Sequence, residues 1–308
     1  MNGVVIKTTG KRYSVKTEEG EVVQSRLKGK FRIAGIKSTN PIVVGDKVEV
    51  VRESELWMIV KLHDRKNHIL RKSVNLSKQT HIIAANIDQA LLMITLDSPV
   101  TTTGFIDRFL VAANAYGIEV VLLFNKVDLL DDELKIQQEN LQKIYEKIGY
   151  TCFATSVIND DLSPIKNLMK GKVNMISGHS GVGKSTLINY LQPDLHINTK
   201  EVSDTHKQGQ HTTTFSELHE LDFGASIIDT PGIRGFGLVE LEVAVLGSYF
   251  PEFFNLKSQC KYHNCIHKNE PQCAIKSALE DGDIAESRYK NYLKMLVEEE
   301  ENFRTTDY

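Results

Sequence analysis

A glycine-rich segment, SGHSGVGKST at residues 177–186, constrains the fold of this chain more than any other stretch. It has the spacing G-x-x-x-x-G-K-S, follows the apolar run VNMIS and precedes the helix-like run STLINYL. Glycines let backbone N–H groups point at a phosphate, and a helix N-terminus favours an anion. The sequence therefore predicts a phosphate-binding loop between a strand and a helix, with Lys184 reaching the β- and γ-phosphates and Ser185 holding Mg²⁺.

A second motif, D-T-P-G at residues 229–232, follows the apolar run ASII. A carboxylate at a strand end beside a phosphate loop is placed to support Mg²⁺, directly or through water. Asp229 is therefore a predicted magnesium residue, and the amide of Gly232 is predicted to contact the γ-phosphate.

A third motif, N-K-V-D at residues 125–128, follows the apolar run EVVLLF. Asp128 can accept two hydrogen bonds from guanine that adenine does not offer, and adenine would leave the carboxylate unpaired. Asn125 can bond the ring edge, and the stem of Lys126 can lie on the base. The sequence T-S-V at residues 155–157 resembles the short loop that backs the base.

The order of these motifs is unusual, because N-K-x-D normally comes after the phosphate loop and here precedes it. Each motif follows a strand-like run, and open α/β sheets bind ligands at the carboxyl ends of their strands. The site depends on where these loops lie in space and not on their order in the chain. The termini of the usual domain can therefore be joined, and the chain cut elsewhere, without separating the loops. The order therefore predicts a circularly permuted nucleotide-binding domain.

Charge is distributed unevenly along the 308 residues, whose net charge is −3. Residues 1–72 hold 16 basic against 8 acidic side chains, a net of +8, which leaves −11 for the rest. This segment reads as about five short strands separated by turns, which predicts a small barrel resembling the OB-fold. A basic barrel of this kind commonly binds RNA. A basic run at residues 65–73 ends this segment, and VNLSKQT at residues 74–80 is predicted to be a linker.

The remaining elements alternate between strands and helices. Continuous apolar runs such as QALLMIT and EVVLLFN indicate strands buried on both faces, and FIDRFLVAANAYG has a helical period. No apolar run reaches the roughly 18–20 residues that a membrane span needs, and the first residues lack the apolar core of a secretion signal. We therefore expect a cytoplasmic protein that does not bind membranes.

Three of the four cysteines cluster in CKYHNCIHKNEPQC at residues 260–273, whereas Cys152 stands alone and is expected to be a core residue. Three thiolates with one imidazole make a closed tetrahedral Zn²⁺ site, which leaves no position open for catalysis. Both His263 and His267 could supply the imidazole. The alternative is three buried cysteines without metal.

Taken together, these segments resemble the bacterial circularly permuted GTPases called ribosome small-subunit-dependent GTPase A. The resemblance covers nearly the full length and rests on the barrel, NKVD, GHSGVGKST, GQHTTT, DTPGIRGFGL and the cysteine motif. It implies a GTP-hydrolysing assembly factor that binds the small ribosomal subunit and its rRNA, acts in late maturation of that subunit and is stimulated by it. It also implies three domains: an OB-like barrel at 1–72, the permuted α/β GTPase domain at 73–236 and an α-helical zinc module at 237–308. We expect a monomer.

The resemblance also implies roles for residues. Ile233 and Arg234 follow DTPG where signalling GTPases place a water-orienting glutamine, so His211 is the predicted catalytic group; the alternative is a loop histidine facing RNA or solvent. Of Thr212, Thr213 and Thr214, we favour Thr213 as a magnesium ligand with Ser185 and Asp229. The predicted zinc ligands are Cys260, Cys265, His267 and Cys273. The predicted GTP-binding residues are Asn125, Lys126, Val127, Asp128, Ser156, Val157, Gly178, His179, Ser180, Gly181, Val182, Gly183, Lys184, Ser185, Thr186 and Gly232.

Two other functions stay open at this level. A binding factor could use GTP only to set its affinity, with hydrolysis serving release. A zinc-dependent RNA-modifying enzyme is disfavoured, because four protein ligands would fill the zinc coordination shell.

Overall fold

The computed structural model describes residues 1–10, 12–28, 41–72, 80–195, 216–229 and 242–306. The chain separates into two compact units, each made from two stretches. The first unit comprises Met1–Met93 and Ser156–Gly235, and the second comprises Ile94–Thr155 and Phe236–Tyr308.

Thirteen strands and eight α-helices are formed by the described residues. The strands are β1 (Asn2–Thr9), β2 (Arg12–Thr17), β3 (Val22–Leu27), β4 (Lys47–Glu53), β5 (Leu56–Leu62), β6 (His68–Lys72), β7 (Thr80–Ala85), β8 (Gln89–Ile94), β9 (Glu119–Asn125), β10 (Thr151–Thr155), β11 (Val173–Ser177), β12 (Glu217–Leu221) and β13 (Ala225–Asp229). The helices are α1 (Thr103–Ala115), α2 (Asp132–Lys147), α3 (Ser163–Met169), α4 (Lys184–Leu191), α5 (Val243–Leu246), α6 (Pro251–Leu256), α7 (Ala274–Glu280) and α8 (Glu286–Thr306).

The predicted five-stranded barrel is confirmed in the first unit. Its strands follow the order β1–β2–β3–β5–β4, and β4 returns to β1 to close the ring. Successive side chains of a strand point to opposite faces, so every second side chain points into the barrel. The barrel core consists of Val5, Tyr13, Val15, Val23, Ile42, Val48, Val50 and Ile59.

A buried ion pair fixes the segment that leads into β4. Both oxygens of Asp46 accept hydrogen bonds from Arg65, at 2.6 and 2.7 Å, and one also accepts from the Val43 amide at 2.8 Å. Because Arg65 is used inside the fold, it is not among the basic side chains that the barrel can offer to a polyanion.

The first strand has two partners along one edge. Residues 2–4 of β1 pair with β4, whereas Lys7 lies opposite Glu217 of β12. The register of β1 against β2 shifts between Val5 and Lys7, and such a bulge bends a strand. One strand therefore closes the barrel with its first half and extends another sheet with its second half.

The phosphate-loop strand lies in the middle of a parallel group. β11 pairs in parallel with β8 on one side and with β13 on the other. Every residue of β8 is buried, as its continuous apolar sequence predicts. β12 was not predicted, and it runs antiparallel to β13. Its sequence, ELHEL, is short and carries Glu217 and Glu220, so it lacks the continuous apolar run by which the buried strands were predicted.

One segment differs from the sequence expectation. β6 and β7 pair antiparallel, and Thr80, the end of the predicted linker, begins β7. The many basic residues of RKNHILRKS obscure the alternation of apolar and polar side chains that would have indicated β6.

The second unit contains the parallel pair β9–β10 and the helices α1, α2 and α5–α8. The side chain of Thr102 accepts from the Phe105 amide at the start of α1, and Asp131 does the same for Leu134 at α2. Val111 of α1 is buried among residues of the C-terminal segment. That shared core consists of Val111, Leu246, Phe250, Phe253, Cys273, Ile275, Ala278, Ile284, Tyr292, Met295 and Leu296.

A buried charge network joins α1 to α8. The guanidinium of Arg288 donates to Asp107 at 2.7 Å and to both oxygens of Glu252 at 2.8 and 3.1 Å. Tyr145 and Asn291 donate to the Asp107 carboxylate as well. Burial alone would lower the pKa of Arg288, but Asp107 and Glu252 raise it above its ordinary value. The cation therefore stays charged and balances two carboxylates inside the protein.

Replacing Arg288 by Met should lower the free energy of unfolding by about 3–5 kcal/mol, because Asp107 and Glu252 would remain buried without their cation. Urea denaturation followed by circular dichroism measures the loss. Lys290→Met is the control, since Lys290 forms an exposed ion pair with Glu286 on the same helix. It should change the unfolding free energy by less than about 1 kcal/mol. Equal losses of unfolding free energy for the two substitutions would contradict the role of Arg288 as the cation that balances Asp107 and Glu252.

Candidate functional site: a guanine-nucleotide site and a metal cluster

The phosphate loop has the geometry that its glycines require. Gly178, directly after β11, has φ of 138°, and a Cβ there would lie 2.6 Å from the Met93 carbonyl oxygen. Gly183 precedes α4 with φ of 104°. Side chains rarely adopt either conformation, so this loop folds as it does only with glycine at both positions.

The side chain of Lys184 lies along this loop. Its ammonium donates to the carbonyls of Gly178 at 2.8 Å and His179 at 2.6 Å. Burial lowers the pKa of His179, and the ammonium of Lys184 lowers it further. The imidazole is therefore neutral near pH 7, and the positive charge of the loop resides on Lys184. Ser185 and Thr186 follow in the first turn of α4, where a helix N-terminus favours phosphate.

The end of α4 is tied to the turn between β12 and β13. Gln192 donates to the Asp222 carboxylate at 2.7 Å and accepts from the Asp222 amide at 3.0 Å. The Gly171 amide donates to the Gly224 carbonyl at 2.7 Å. The turn of this hairpin is therefore held by Gln192, at the end of the helix that follows the phosphate loop, and by Gly171.

The open end of the hairpin leads to the two segments that are predicted to hold Mg²⁺, one containing Thr213 and the other beginning at Asp229. Glu217 begins β12 and lies directly opposite Asp229, the last residue of β13. The structure thus places the Asp229 backbone at a strand end beside β11, although its side chain is not described. The predicted residues His211, Thr213 and Gly232, with Thr212 and Thr214, lie outside the described residues.

The predicted base-reading residues lie in the second unit, where β9 ends. Asn125 is the last residue of β9 and is buried. Lys126 follows with φ of 64°, and Val127 and Asp128 lie in a short 3₁₀ turn. Asp128 is exposed.

A partner of Lys126 was missed by sequence reasoning. Its ammonium donates to the Ser98 carbonyl at 2.7 Å. The loop around Ser98 is closed by Thr101, whose hydroxyl accepts from the Thr95 amide at 3.2 Å. The D-S-P sequence at residues 97–99 was a signal for a turn there, but no local pattern identifies which cation a carbonyl will bind.

The predicted backing loop is rigidly hydrogen-bonded. Ser156 and Val157 are both buried. The Ser156 amide donates to the Asp160 carboxylate at 2.5 Å, and the Asn159 amide side chain donates to the Ser156 hydroxyl at 3.1 Å. The preceding residue, Thr155, lies opposite Asn125 in the parallel β9–β10 pair.

The four predicted zinc ligands come together. The ligand atoms of Cys260, Cys265, His267 and Cys273 all lie within 4.8 Å of one another. Nδ1 of His267 is 3.7 Å from the Cys260 sulfur and 3.5 Å from the Cys273 sulfur. A tetrahedral site with Zn–S of about 2.3 Å and Zn–N of about 2.0–2.1 Å requires edges of this size. His263, the alternative, is not part of this group.

Glu270 organises the loop between these ligands, and sequence reasoning missed it. Its carboxylate accepts from the amides of Ile266, Lys268 and Asn269 at 2.7, 2.8 and 3.0 Å. Burial acts to raise the pKa of Glu270, but these backbone hydrogen bonds hold it below its ordinary value. Tyr292 of α8 donates to the Ile266 carbonyl, which anchors the loop to the helical core.

Comparison with known sequences identifies the family. A sequence model described as RsgA GTPase matches residues 62–239, more than half of the chain. The chain belongs to the RsgA GTPase family. A second model, described as RsgA N-terminal domain, matches residues 2–56. The family predicted by resemblance is therefore confirmed, and the protein is a GTP-hydrolysing enzyme.

Relatives in this family match over the full length. The protein named small ribosomal subunit biogenesis GTPase RsgA in Flavobacterium johnsoniae is 56% identical over 313 residues, covering 100% of this chain and 96% of that protein. The protein of the same name in Bacteroides fragilis is 50% identical over 303 residues, covering 98% of each.

Two solved structures share the fold. YjeQ from Thermotoga maritima superposes with a TM-score of 0.79 at 36% identity, covering 96% of this chain and 97% of that one. YloQ, described as a circularly permuted GTPase, gives a TM-score of 0.77 at 29% identity, covering 98% and 95%. The circular permutation predicted from the order of the motifs is confirmed.

Asp128, an exposed residue of the N-K-V-D motif, generates a prediction about base selectivity. Asp128→Asn should weaken GTP binding by about tenfold to a hundredfold, because an amide cannot accept both guanine hydrogen bonds. It should favour xanthosine triphosphate, whose extra carbonyl suits an amide donor. Equilibrium titration with fluorescent GTP and XTP measures both changes, and Asp132→Asn, four residues later, is the control. Unchanged preference for GTP would refute the assignment.

The cysteine cluster generates a second prediction. Cys265→Ser should abolish stoichiometric zinc and increase proteolysis of residues beyond 242, since a structural metal contributes directly to folding of a small module. Cys152→Ser, outside the cluster, should retain one zinc per chain. Elemental analysis and limited proteolysis provide the two readouts, and GTP binding should survive in both variants. A wild-type protein purified without chelators that holds no zinc would disprove the prediction.

Proposed function

We propose that this GTPase is an assembly factor of the small ribosomal subunit: it binds the subunit, acts in its late maturation and hydrolyses GTP faster when bound there. The observation that carries the proposal is full-length similarity to proteins named small ribosomal subunit biogenesis GTPase, at 56% and 50% identity. That coverage includes the barrel, the nucleotide motifs and the cysteine module, so all three parts have counterparts in those relatives.

Residues of the phosphate loop and hairpin would hold the nucleotide and Mg²⁺. Lys184 would contact the β- and γ-phosphates, and the hydroxyls of Ser185 and Thr213 with the carboxylate of Asp229 would hold the metal. When bound, Mg²⁺ neutralises charge that develops on the phosphate oxygens. His211 would orient the attacking water, since Ile233 has no polar group for this task.

The other proposed GTP contacts fall into two groups, one for the phosphates and one for the base. Backbone amides between Gly178 and Thr186, with the amide of Gly232, would cradle the phosphates, and residues 125–128 with Ser156 and Val157 would surround the base. This arrangement binds the nucleotide by its phosphates and selects it by its base, as guanine recognition requires.

The barrel supplies a surface for ribosomal RNA in this proposal. Support comes from the net charge of +8 on residues 1–72 and from exposure of its basic side chains. Those exposed in the described part of the barrel include Arg12, Arg26, Lys47, Arg52 and Lys61. Phosphate contacts of this kind carry much of the affinity for RNA and weaken as salt rises.

The C-terminal cluster would hold one structural Zn²⁺. Three sulfurs and one nitrogen within 4.8 Å of one another support this assignment, and four such ligands would leave no coordination position for a substrate. The domain limits 1–72, 73–236 and 237–308 belong to the proposal, as do a cytoplasmic location and a monomeric state. Among the described residues, no helix is both long and apolar enough to cross a bilayer.

Turnover with purified ribosomal subunits tests the proposal. Small subunits should raise kcat for GTP well above the intrinsic value, and large subunits should not. His211→Ala should preserve GTP affinity and lower the stimulated rate by about 10²-fold, the contribution of one positioned polar group. Co-sedimentation in the GTP and GDP states reports binding separately from turnover.

His206→Ala is the matched control, because His206 lies in the same polar segment five positions before His211. It should leave the stimulated rate unchanged. Stimulation of the His211→Ala variant within about twofold of wild type would assign the water-positioning group elsewhere. A wild-type rate that small subunits do not change would refute the proposed function.

A further inference from the structure

The loop that follows β8 is closed at its base by two buried threonines. Thr95 and Thr101 are 1% and 5% exposed. The Thr101 amide donates to the Thr95 carbonyl at 2.8 Å, and the Thr95 amide donates to the Thr101 hydroxyl at 3.2 Å. The Thr95 hydroxyl donates to the Pro99 carbonyl inside the loop. Both hydroxyls therefore bond to the backbone of the loop itself, and they tie its two ends together.

The exposed tip of this loop contacts the base-reading motif. Asp97 and Ser98 are exposed, and the Ser98 carbonyl accepts from the ammonium of Lys126 at 2.7 Å. The backbone of Lys126 is held as well, because the Leu129 amide donates to its carbonyl at 3.1 Å. The half-buried side chain of Lys126 is therefore fixed at both ends, by the 3₁₀ turn at its backbone and by Ser98 at its ammonium.

Fixing a lysine at both ends changes what a ligand must do to order it. A lysine side chain has more rotamer freedom to lose than most side chains. When an internal hydrogen bond removes that freedom in the free protein, binding of the ligand does not have to remove it again. The stem of Lys126 is then in place before a nucleotide arrives.

We propose that Thr95 and Thr101 are positioning residues for the nucleotide: they fix the Ser98 carbonyl, and that carbonyl holds Lys126 with its stem placed to cover the guanine base. This inference rests on the proposed function, in which residues 125–128 surround the base. Neither threonine touches the nucleotide in this assignment, because both act through Lys126.

Thr101→Val in the full-length protein tests the inference. It removes the hydroxyl that accepts from the buried Thr95 amide, so the base of the loop loses a hydrogen bond. GTP and GDP should both bind about threefold to tenfold more weakly, by the same factor, since the γ-phosphate takes no part in the contact. KM for the intrinsic reaction should rise by that factor while kcat stays within about twofold of wild type, the pattern of a contact equal in the ground and transition states. Equilibrium titration with fluorescent GTP and GDP and turnover without subunits provide the readouts.

A double-mutant cycle separates positioning from a general loss of stability. Lys126→Met keeps an apolar stem and removes the ammonium, and it should weaken GTP binding by about threefold to thirtyfold. If Thr101 acts through Lys126, adding Thr101→Val to Lys126→Met should change the affinity by less than about twofold. A variant that only destabilised the fold would weaken binding equally in both backgrounds.

Three further variants complete the test. Thr101→Ser keeps the hydroxyl and should restore wild-type affinity. Thr95→Val removes the hydrogen bond to the Pro99 carbonyl and should reproduce the effect of Thr101→Val, which keeps the inference testable if one of the two variants does not fold. Thr103→Val is the matched control, because the Thr103 hydroxyl accepts from Asn291 at 3.2 Å and lies outside the loop. It should bind GTP as wild type does.

The inference and the proposed function fail separately. Wild-type affinity in Lys126→Met would refute the base contact that the proposed function assigns to this lysine. Weak binding by Lys126→Met together with wild-type affinity in Thr101→Val and Thr95→Val would overturn the positioning role and leave the base contact standing. Additive losses in the cycle, no rescue by Thr101→Ser, or an equal loss in Thr103→Val would overturn it as well. Small subunits are absent from every measurement, so their role in turnover does not affect the outcome.

Discussion

Backbone hydrogen bonding along β1 is the constraint on which the first unit depends. An open barrel would expose unpaired N–H and C=O groups, so the first half of β1 must pair with β4 to close the ring. The bulge before Lys7 then turns the strand towards β12, which would otherwise be an unprotected edge. One strand satisfies the polar backbone of two sheets. The barrel and the phosphate-loop sheet are therefore a continuous hydrogen-bonded structure.

Function in this chain follows the positions of strand ends. The phosphate loop begins where β11 ends, the base-reading motif begins where β9 ends, and Asp229 closes β13. Each loop is positioned by the strand before it, and chain order enters only through the connections. This is why a permuted chain can keep the chemistry of guanine recognition and phosphate binding. The Cys260–Cys273 cluster does not follow a strand: its loop is shaped by Glu270 and by the helical core.

Local sequence predicted the features that local chemistry determines. The phosphate loop has glycine at three positive-φ positions, so its geometry was visible in eight residues. The cysteine spacing predicted the cluster that forms. The barrel was predicted from alternation. The β1–β12 pairing, the Lys126–Ser98 contact and the Arg288 network could not be predicted, because each joins distant segments that carry no shared pattern. The sites of His211 and Thr213 stay predictions, since those residues lie outside the described part of the chain.

The Arg288 network has a consequence for how deletions of this protein are interpreted. Arg288 lies on the last helix, but the carboxylate of Asp107 that it neutralises lies on α1, in the stretch that also carries the base-reading motif. A chain shortened before α8 would leave Asp107 buried beside Tyr145 with no cation. Loss of nucleotide binding in such a fragment would then report a damaged α1 rather than a role of the missing segment in nucleotide recognition. Point substitutions at the cysteines, which leave Arg288 in place, separate these two effects.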